Sequence, residues 1–160
     1  MAFGRTVSIM AAWSDILEAV SRSQTHDRDA GRAALLSCWQ QTTGDDHAKR
    51  CVLAHYLADT EPALDDEVRW DETALAEYDG VSDDELAAIG IPTAAGLAPS
   101  LHLNLGDGYL RQGRTADADE QLRRGQAAAA VLGEDGYAAM VRRGLAGLED
   151  RVGQAYAQNR

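Results

Sequence analysis

Lysine occurs once in this chain, phenylalanine once, cysteine twice and proline three times, and each scarcity closes off a class of protein. With Cys38 and Cys51 as the only sulfhydryls and no CxxC spacing, neither a disulfide framework nor a zinc ribbon is encoded. No stretch reaches the roughly 18 to 20 uncharged apolar residues of a membrane span; the nearest, around 125–132, is alanine-rich and contains Gln126. Arg5, Thr6 and Ser8 interrupt residues 1–12 before a signal-like apolar run develops, so the expected compartment is cytoplasmic. β-Branched alternation of the kind a strand needs is also missing.

What is present fits a single helical domain over 1–160. At 45% hydrophobic residues, a chain of this length hides roughly 70% of its unfolded surface without a metal or disulfide. The formal charge of −11 is concentrated: from Asp45 to Glu85 fourteen acids face only Lys49, Arg50 and Arg69. Such a field repels phosphate backbones and anionic lipid, so neither nucleic acid nor membrane is an expected partner, and a basic or neutral protein or peptide is favoured. The acids have a plainer use too, the solvation of outer helix faces. Arginine outnumbers lysine fourteen to one, which with abundant Ala and Gly is the expected output of a high-GC, bacterial genome.

Helical periodicity runs through three quarters of the chain, which predicts an all-α fold of about seven helices. The first extends from about Ser8 to Arg22 on the face Met10, Trp13, Ile16, Leu17 and Val20. The second, capped by Asp27 or Asp29, carries Ala33, Leu36 and Trp39 beside Leu35 and ends at Gly44. Helix three, Asp46 to Asp59, is capped by Asp45 and Asp46 and is apolar nearly all round, the pattern of a central helix. Helix four follows the Thr60-Glu61-Pro62 corner to Tyr78, with Leu64, Val68, Trp70 and Leu75 inward, and Gly80 stops it. Ser82 and Glu85 form a capping box over a short helix ending at Gly90. A connector from Ile91 to Pro99 leads to a helix reaching Gln112. Thr115 caps its partner to about Leu132, and Asp135 starts a last helix that frays beyond Gln154.

Residues 101–125, LHLNLGDGYLRQGRTADADEQLRRG, read as two helices folded back at a tight glycine turn. Leu105, Gly106, Tyr109, Gly113, Ala118 and Leu122 stand where the tetratricopeptide repeat motif has a large apolar residue, a small one, an aromatic, a turn glycine, a small one and a large one. The chain resembles that family best over 99–132. A degenerate hairpin over 46–79 is similar when Leu53, Ala54, Leu57 and Trp70 are set against Leu105, Gly106, Tyr109 and Leu122, with Asp66 a mismatch at Ala118. His102, Gly125 and Ala130 depart from the motif's tryptophan, alanine and proline. From Leu53 to Leu105 is 52 residues, against a family period of about 34, so about eighteen extra residues separate the hairpins and the array is irregular. The resemblance implies antiparallel hairpins in a right-handed superhelical stack, a capping helix over 135–154, and a concave groove holding a protein or peptide.

Groove positions of the family fall on Cys51, His55 and Asp59 in one hairpin and on Leu103, Asp107 and Arg111 in the other, flanked by Asn104. Independently, His47, Cys51, His55 and Asp59 are each four apart and form a polar line along helix three. That line either faces the groove or consists of half-buried core residues. With Asp59 and Asp107 in it, the groove differs from the carboxylate-clamping kind, which depends on several Lys and Asn, though Arg111 can pair with a carboxylate.

Chemistry is the competing class: a small-molecule or metal site around His47, Cys51, His55 and His102. The outer histidines of helix three are roughly 12 Å apart along the axis, too far for one zinc ion with ligands at about 2.0 to 2.3 Å, so His102 or Asp107 would have to complete a shell. Cys51 with His55 is the one local nucleophile–base pair, and no glycine-rich oxyanion turn supports it. Gly106-Asp107-Gly108 lies inside a helical pattern and is no phosphate loop. Paired acids such as Asp65-Asp66 and Asp83-Asp84 suit helix N-termini, and Trp13, Trp39 and Trp70 suit the core. The expectation is a non-catalytic binding module without cofactor or metal, with a structural homodimer as a third class.

Overall fold

The computed structural model describes Met10 to Asn159, and every regular element in that range is helical. Eight α-helices follow in order: α1 (Trp13–Ser23), α2 (Arg28–Gln40), α3 (His47–Ala58), α4 (Leu64–Tyr78), α5 (Asp83–Ala87), α6 (Ala98–Arg111), α7 (Thr115–Ala128) and α8 (Gly136–Gln158). Short 3-10 turns at Ala94–Gly96 and Ala129–Val131 lead into α6 and out of α7. The count is one above the expected seven.

Helices pair in hairpins, α1 on α2, α3 on α4 and α6 on α7; α3 also packs on the first hairpin, α6 on α4, and α8 covers α6 and α7. The all-round apolar pattern of α3 has the predicted consequence, because Ala48, Cys51, Val52, Leu53, Ala54, Leu57 and Ala58 are all buried. One core cluster joins α3 to the first hairpin through Ile16, Leu35, Leu53 and Leu57. Another joins α6 and α7 to α8 through Leu105, Leu122, Leu145 and Leu148. Where α3, α4 and α6 meet, the buried centre is Cys51, Ala54, Ala74 and Leu101, with Trp39, Trp70 and Tyr78 packed around it.

Small residues set how closely the helices approach. Gly106 and Ala118 are buried, and a methyl group on Gly106 would stand 2.8 Å from Leu148 Cδ2 and 3.5 Å from the Ala118 carbonyl. Gly113 turns the α6–α7 hairpin at φ +78°, a conformation costly for any residue with a Cβ. At the first hairpin Gly31 touches the backbone of Ser23, where an added Cβ would lie 2.6 Å from the Ser23 nitrogen.

Several boundaries differ from those expected. α1 starts at Trp13; the expected Ser8 start lies outside the described residues, and Met10 and Leu17 are 45% exposed. In α2 the inward face is Gly31, Leu35 and Cys38, leaving Ala33 outside, and Gln40 ends the helix, so Gly44 is no C-terminal cap. Asp27 does cap α2, accepting from the Ala30 amide at 3.1 Å. Asp46 precedes α3 but turns back to accept from the Thr43 amide. Thr115 is the first residue of α7 and Arg114 its cap. Asp135 caps α8 as expected, accepting from Ala138 at 2.8 Å, and the helix continues to Gln158 because Val152 is still buried against the core.

Two glycine substitutions should act in opposite directions. Gly31→Ala forces α1 and α2 apart and is expected to destabilise by about 1–3 kcal/mol. Gly147→Ala, in the open face of α8 with nothing within 4 Å of the new methyl, should stabilise by about 0.5–1 kcal/mol. Urea unfolding of both variants measures the two signs.

Candidate functional site

The polar line along α3 does not have one fate. His47 Nδ1 lies 2.8 Å from Glu77 Oε2, and Arg50 Nε donates to the other oxygen of that carboxylate at 2.7 Å. Those partners hold the Glu77 carboxyl below its usual range, against the desolvation that pushes it up. Cys51 is fully buried, and desolvation, with the Glu77 charge second, pushes its thiol up to about 12. A thiol so placed is no nucleophile at neutral pH. His55 is half-buried and desolvation pushes it down to about 4, so the ring is neutral. Asp59 ends the helix and is exposed as a residue, although its carboxyl is raised by desolvation and by Glu67, against Arg28.

α6 runs beside this line. Asn104 Nδ2 is 3.5 Å from His55 Nδ1, which brings together the two hairpins' predicted groove residues. With the amide donating to Nδ1, the ring hydrogen stands on Nε2. Asp107 and Arg111, one turn apart, pair at 2.8 Å; Arg111 also reaches Glu67 on α4, and Arg151 on α8 reaches Asp107 at 2.5 Å. Leu103 packs into the core, where a methyl group on Gly144 of α8 would come 2.5 Å from its Cδ2, so it is not a free groove residue.

The four residues of the competing site separate. His102 Nδ1 lies 2.8 Å from Gln121 Oε1, and its Cβ fills the space a side chain at position 125 would need. His47 is held by Glu77 at the far end of α3, leaving only Cys51 and His55 together. Among the described residues no three His, Cys, Asp or Glu converge as a metal-binding group.

Cys51 and His55 instead line a cleft of about 490 Å³. Its walls come from α1 (Leu17), α3 (Val52, Tyr56), the connector (Ile91, Pro92, Gly96) and the approach to α8 (Val131, Tyr137). The connector is tied down by Asp83, which accepts from the Ala94 amide at 2.6 Å, and Tyr137 donates to Ser100 at 3.0 Å. None of these wall residues formed part of the predicted groove: Ile91, Pro92, Gly96 and Val131 lie outside the α-helices, with no helical period to read, and Leu17, Val52, Tyr56 and Tyr137 come from helix positions outside the groove pattern.

From His55 the line continues, about 6 Å further along α3, to Asp59. Near Asp59 stands Asp71 of α4, only 3% exposed. Described residues donate no hydrogen bond to this carboxyl, and no unpartnered oxygen is sealed from solvent. Desolvation, then Asp59, Glu67 and Asp107, push it up to about 8, with Arg111 opposing. The position itself is unusual. α4 buries Val68, Asp71 and Ala74 and α7 buries Ala118, Leu122 and Gly125, so the step from 71 to 74 matches that from 122 to 125. The acid stands where the better hairpin has leucine, one residue off the alignment that sets Trp70 against Leu122. A signal was available: Leu64, Val68, Asp71 and Leu75 are one helical stripe, interrupted by a carboxylate.

No protein-family model matches the chain, and no curated protein or solved structure matches it either.

Unfolded, Asp71 titrates near 3.8; folded, near 8. Between those values the folded chain keeps a proton the unfolded chain has released, so this group makes stability fall as pH rises, by up to about 1.4 kcal/mol per pH unit. His55 acts oppositely between about 4 and 6.5, where the unfolded chain binds the extra proton. Comparing Asp71→Asn with the parent cancels the histidine. The variant's relative stability in urea is expected to climb steadily from pH 5 to pH 8, and a pH-independent difference would refute the assignment.

Proposed function

We propose that this protein is a non-catalytic binding module of tetratricopeptide type, which seats a short basic or neutral segment of another protein between α3, α6 and the start of α8. One observation carries the reading: a mostly apolar cleft of about 490 Å³ opens beside His55. An apolar cleft with a few polar groups at its base suits an anchoring side chain, and the acid beyond it suits positive charge.

In the proposed complex a bulky apolar side chain of the guest enters the cleft, displacing water from Leu17, Val52, Tyr56 and Ile91. Neutral His55, oriented by Asn104, offers Nε2–H to a backbone carbonyl of the guest. Arg151 and Arg111 already occupy Asp107 and Glu67, so attraction for a basic guest comes chiefly from Asp59, one turn beyond His55. Nucleic acid and lipid headgroups are disfavoured by the same charge. A cytoplasmic module from a bacterium, working without cofactor, fits this use.

A second reading has one observation in its favour: the cleft's size and apolar walls also suit a small hydrophobic molecule. A random peptide library panned against the protein separates the two. Enrichment of peptides sharing a bulky apolar residue supports the first reading, and failure to enrich any motif rejects it. Gly96→Trp should abolish capture, since position 96 lines the cleft and its Cβ direction is open, so the indole fills the cleft without disturbing the fold. His55→Ala should weaken capture about tenfold, roughly the 1.4 kcal/mol of one hydrogen bond. Calorimetry with an enriched peptide measures both effects.

A further inference from the structure

The mouth of the cleft beside His55 carries more apolar surface than a wall facing only water needs. Leu17, Val131 and Tyr137, which are 45%, 59% and 42% exposed, all line it, and they are three of the six large hydrophobic side chains exposed among the described residues. Single exposed apolar residues are ordinary, whereas several gathered round one opening mark a docking surface.

The chain itself supplies a segment of matching chemistry. Residues 1–9, MAFGRTVSI, precede the described range and join it at Met10, just ahead of α1, the helix that gives Leu17 and Val20 to the cleft. They hold Met1, Phe3, Val7 and Ile9 with Arg5 as the one charge, the bulky apolar and basic composition expected of a guest. Charge favours the pairing, because Asp135 lines the cleft and Asp15 and Glu18 flank Leu17 on α1. The reach is sufficient. From Met10 to Leu17, three extended residues and about one turn of helix amount to at most roughly 16 Å, whereas the seven residues from Met10 back to Phe3 span roughly 23 Å when extended.

We infer that residues 1–9 fold back along α1 and seat Phe3 in the cleft, so that the chain fills its own guest site until a competing segment displaces it. This regulation rests on the peptide-binding reading for what does the displacing, while the docking itself can be tested without any guest. A tethered occupant acts at an effective concentration of millimolar order, so even a weak contact keeps the cleft filled. The apparent affinity for an outside peptide is then reduced to the fraction of molecules whose cleft is open.

Phe3 is the only phenylalanine in the chain, which makes its docking visible. Fluorophenylalanine incorporated biosynthetically gives one fluorine resonance, from position 3 alone. Its chemical shift in the parent is expected to differ from that of the isolated fluorinated peptide 1–9 and to move to the free-peptide position in Gly96→Trp, whose indole fills the cleft. A parent signal at the free-peptide position, or one that Gly96→Trp leaves in place, overturns the docking. Sedimentation of the parent should show a monomer; a dimer that becomes monomeric when residues 1–9 are removed overturns self-docking in favour of a second copy. For the regulation, a chain starting at Met10 should bind a library-selected peptide at least about fivefold more tightly than the parent does, measured by calorimetry. Equal affinities overturn the regulation and leave the peptide-binding reading intact. A docked fluorine signal with no peptide enriched by the chain starting at Met10 upholds the self-docking and rejects an outside peptide as its competitor.

Discussion

Close approach of helices at residues without bulk is the constraint on which the rest of this molecule depends. Gly31 lets α2 lie against the backbone of α1, and Gly106 and Ala118 let α6 and α7 close on each other under Leu148 of α8. Because those contacts are between backbones and short side chains, they leave little freedom in how one hairpin meets the next. At the junction of α3, α4 and α6, Cys51, Ala54 and Ala74 are buried with Leu101, and larger side chains pack around them. Packing of this kind brings α3 and α6 side by side, which is why His55 meets Asn104.

Much of this arrangement was legible in the amino-acid order. The centrality of α3 follows from its apolar circumference, the turn at Gly113 from a glycine between two amphipathic runs, and the capping boxes and caps at Ser82 and Asp135 from side-chain chemistry. Of the expected inward residues of α2, Leu35, Leu36 and Trp39 do pack on the core, whereas Ala33 is exposed and Gly31 is the residue that lies against α1. His55 and Asn104, named as groove residues on separate hairpins, are neighbours in the structure. Leu103 was assigned to open groove because the depth to which α8 packs on α6 is not a local property.

The cleft could not have been read in the same way. Its walls at Ile91, Pro92, Gly96 and Val131 come from connectors whose course depends on tertiary contacts, such as the hydrogen bond from the Ala94 amide to Asp83. Asp71 was readable in principle, since a carboxylate in a leucine–valine stripe is a local conflict. Conflicts of that sort concentrate where a protein gives up stability for binding. Among the described residues no metal-binding group converges, for a different reason. A regular spacing of His47, Cys51 and His55 says that they share a helix face, whereas a metal site needs them to share a point.

The corner between α3 and α4 has one more consequence. Glu61 accepts there from the Trp70 indole at 3.0 Å and from Arg32 at 3.0 Å, while Trp70 packs edge-on to Trp39 with ring centres 5.0 Å apart. The indole is thus wired to the loop that follows Asp59, and Trp39 lies under the Arg50 guanidinium. Rearrangement of that loop alters the polarity felt by an excited tryptophan, so the chain carries its own optical gauge of the corner and needs no attached dye.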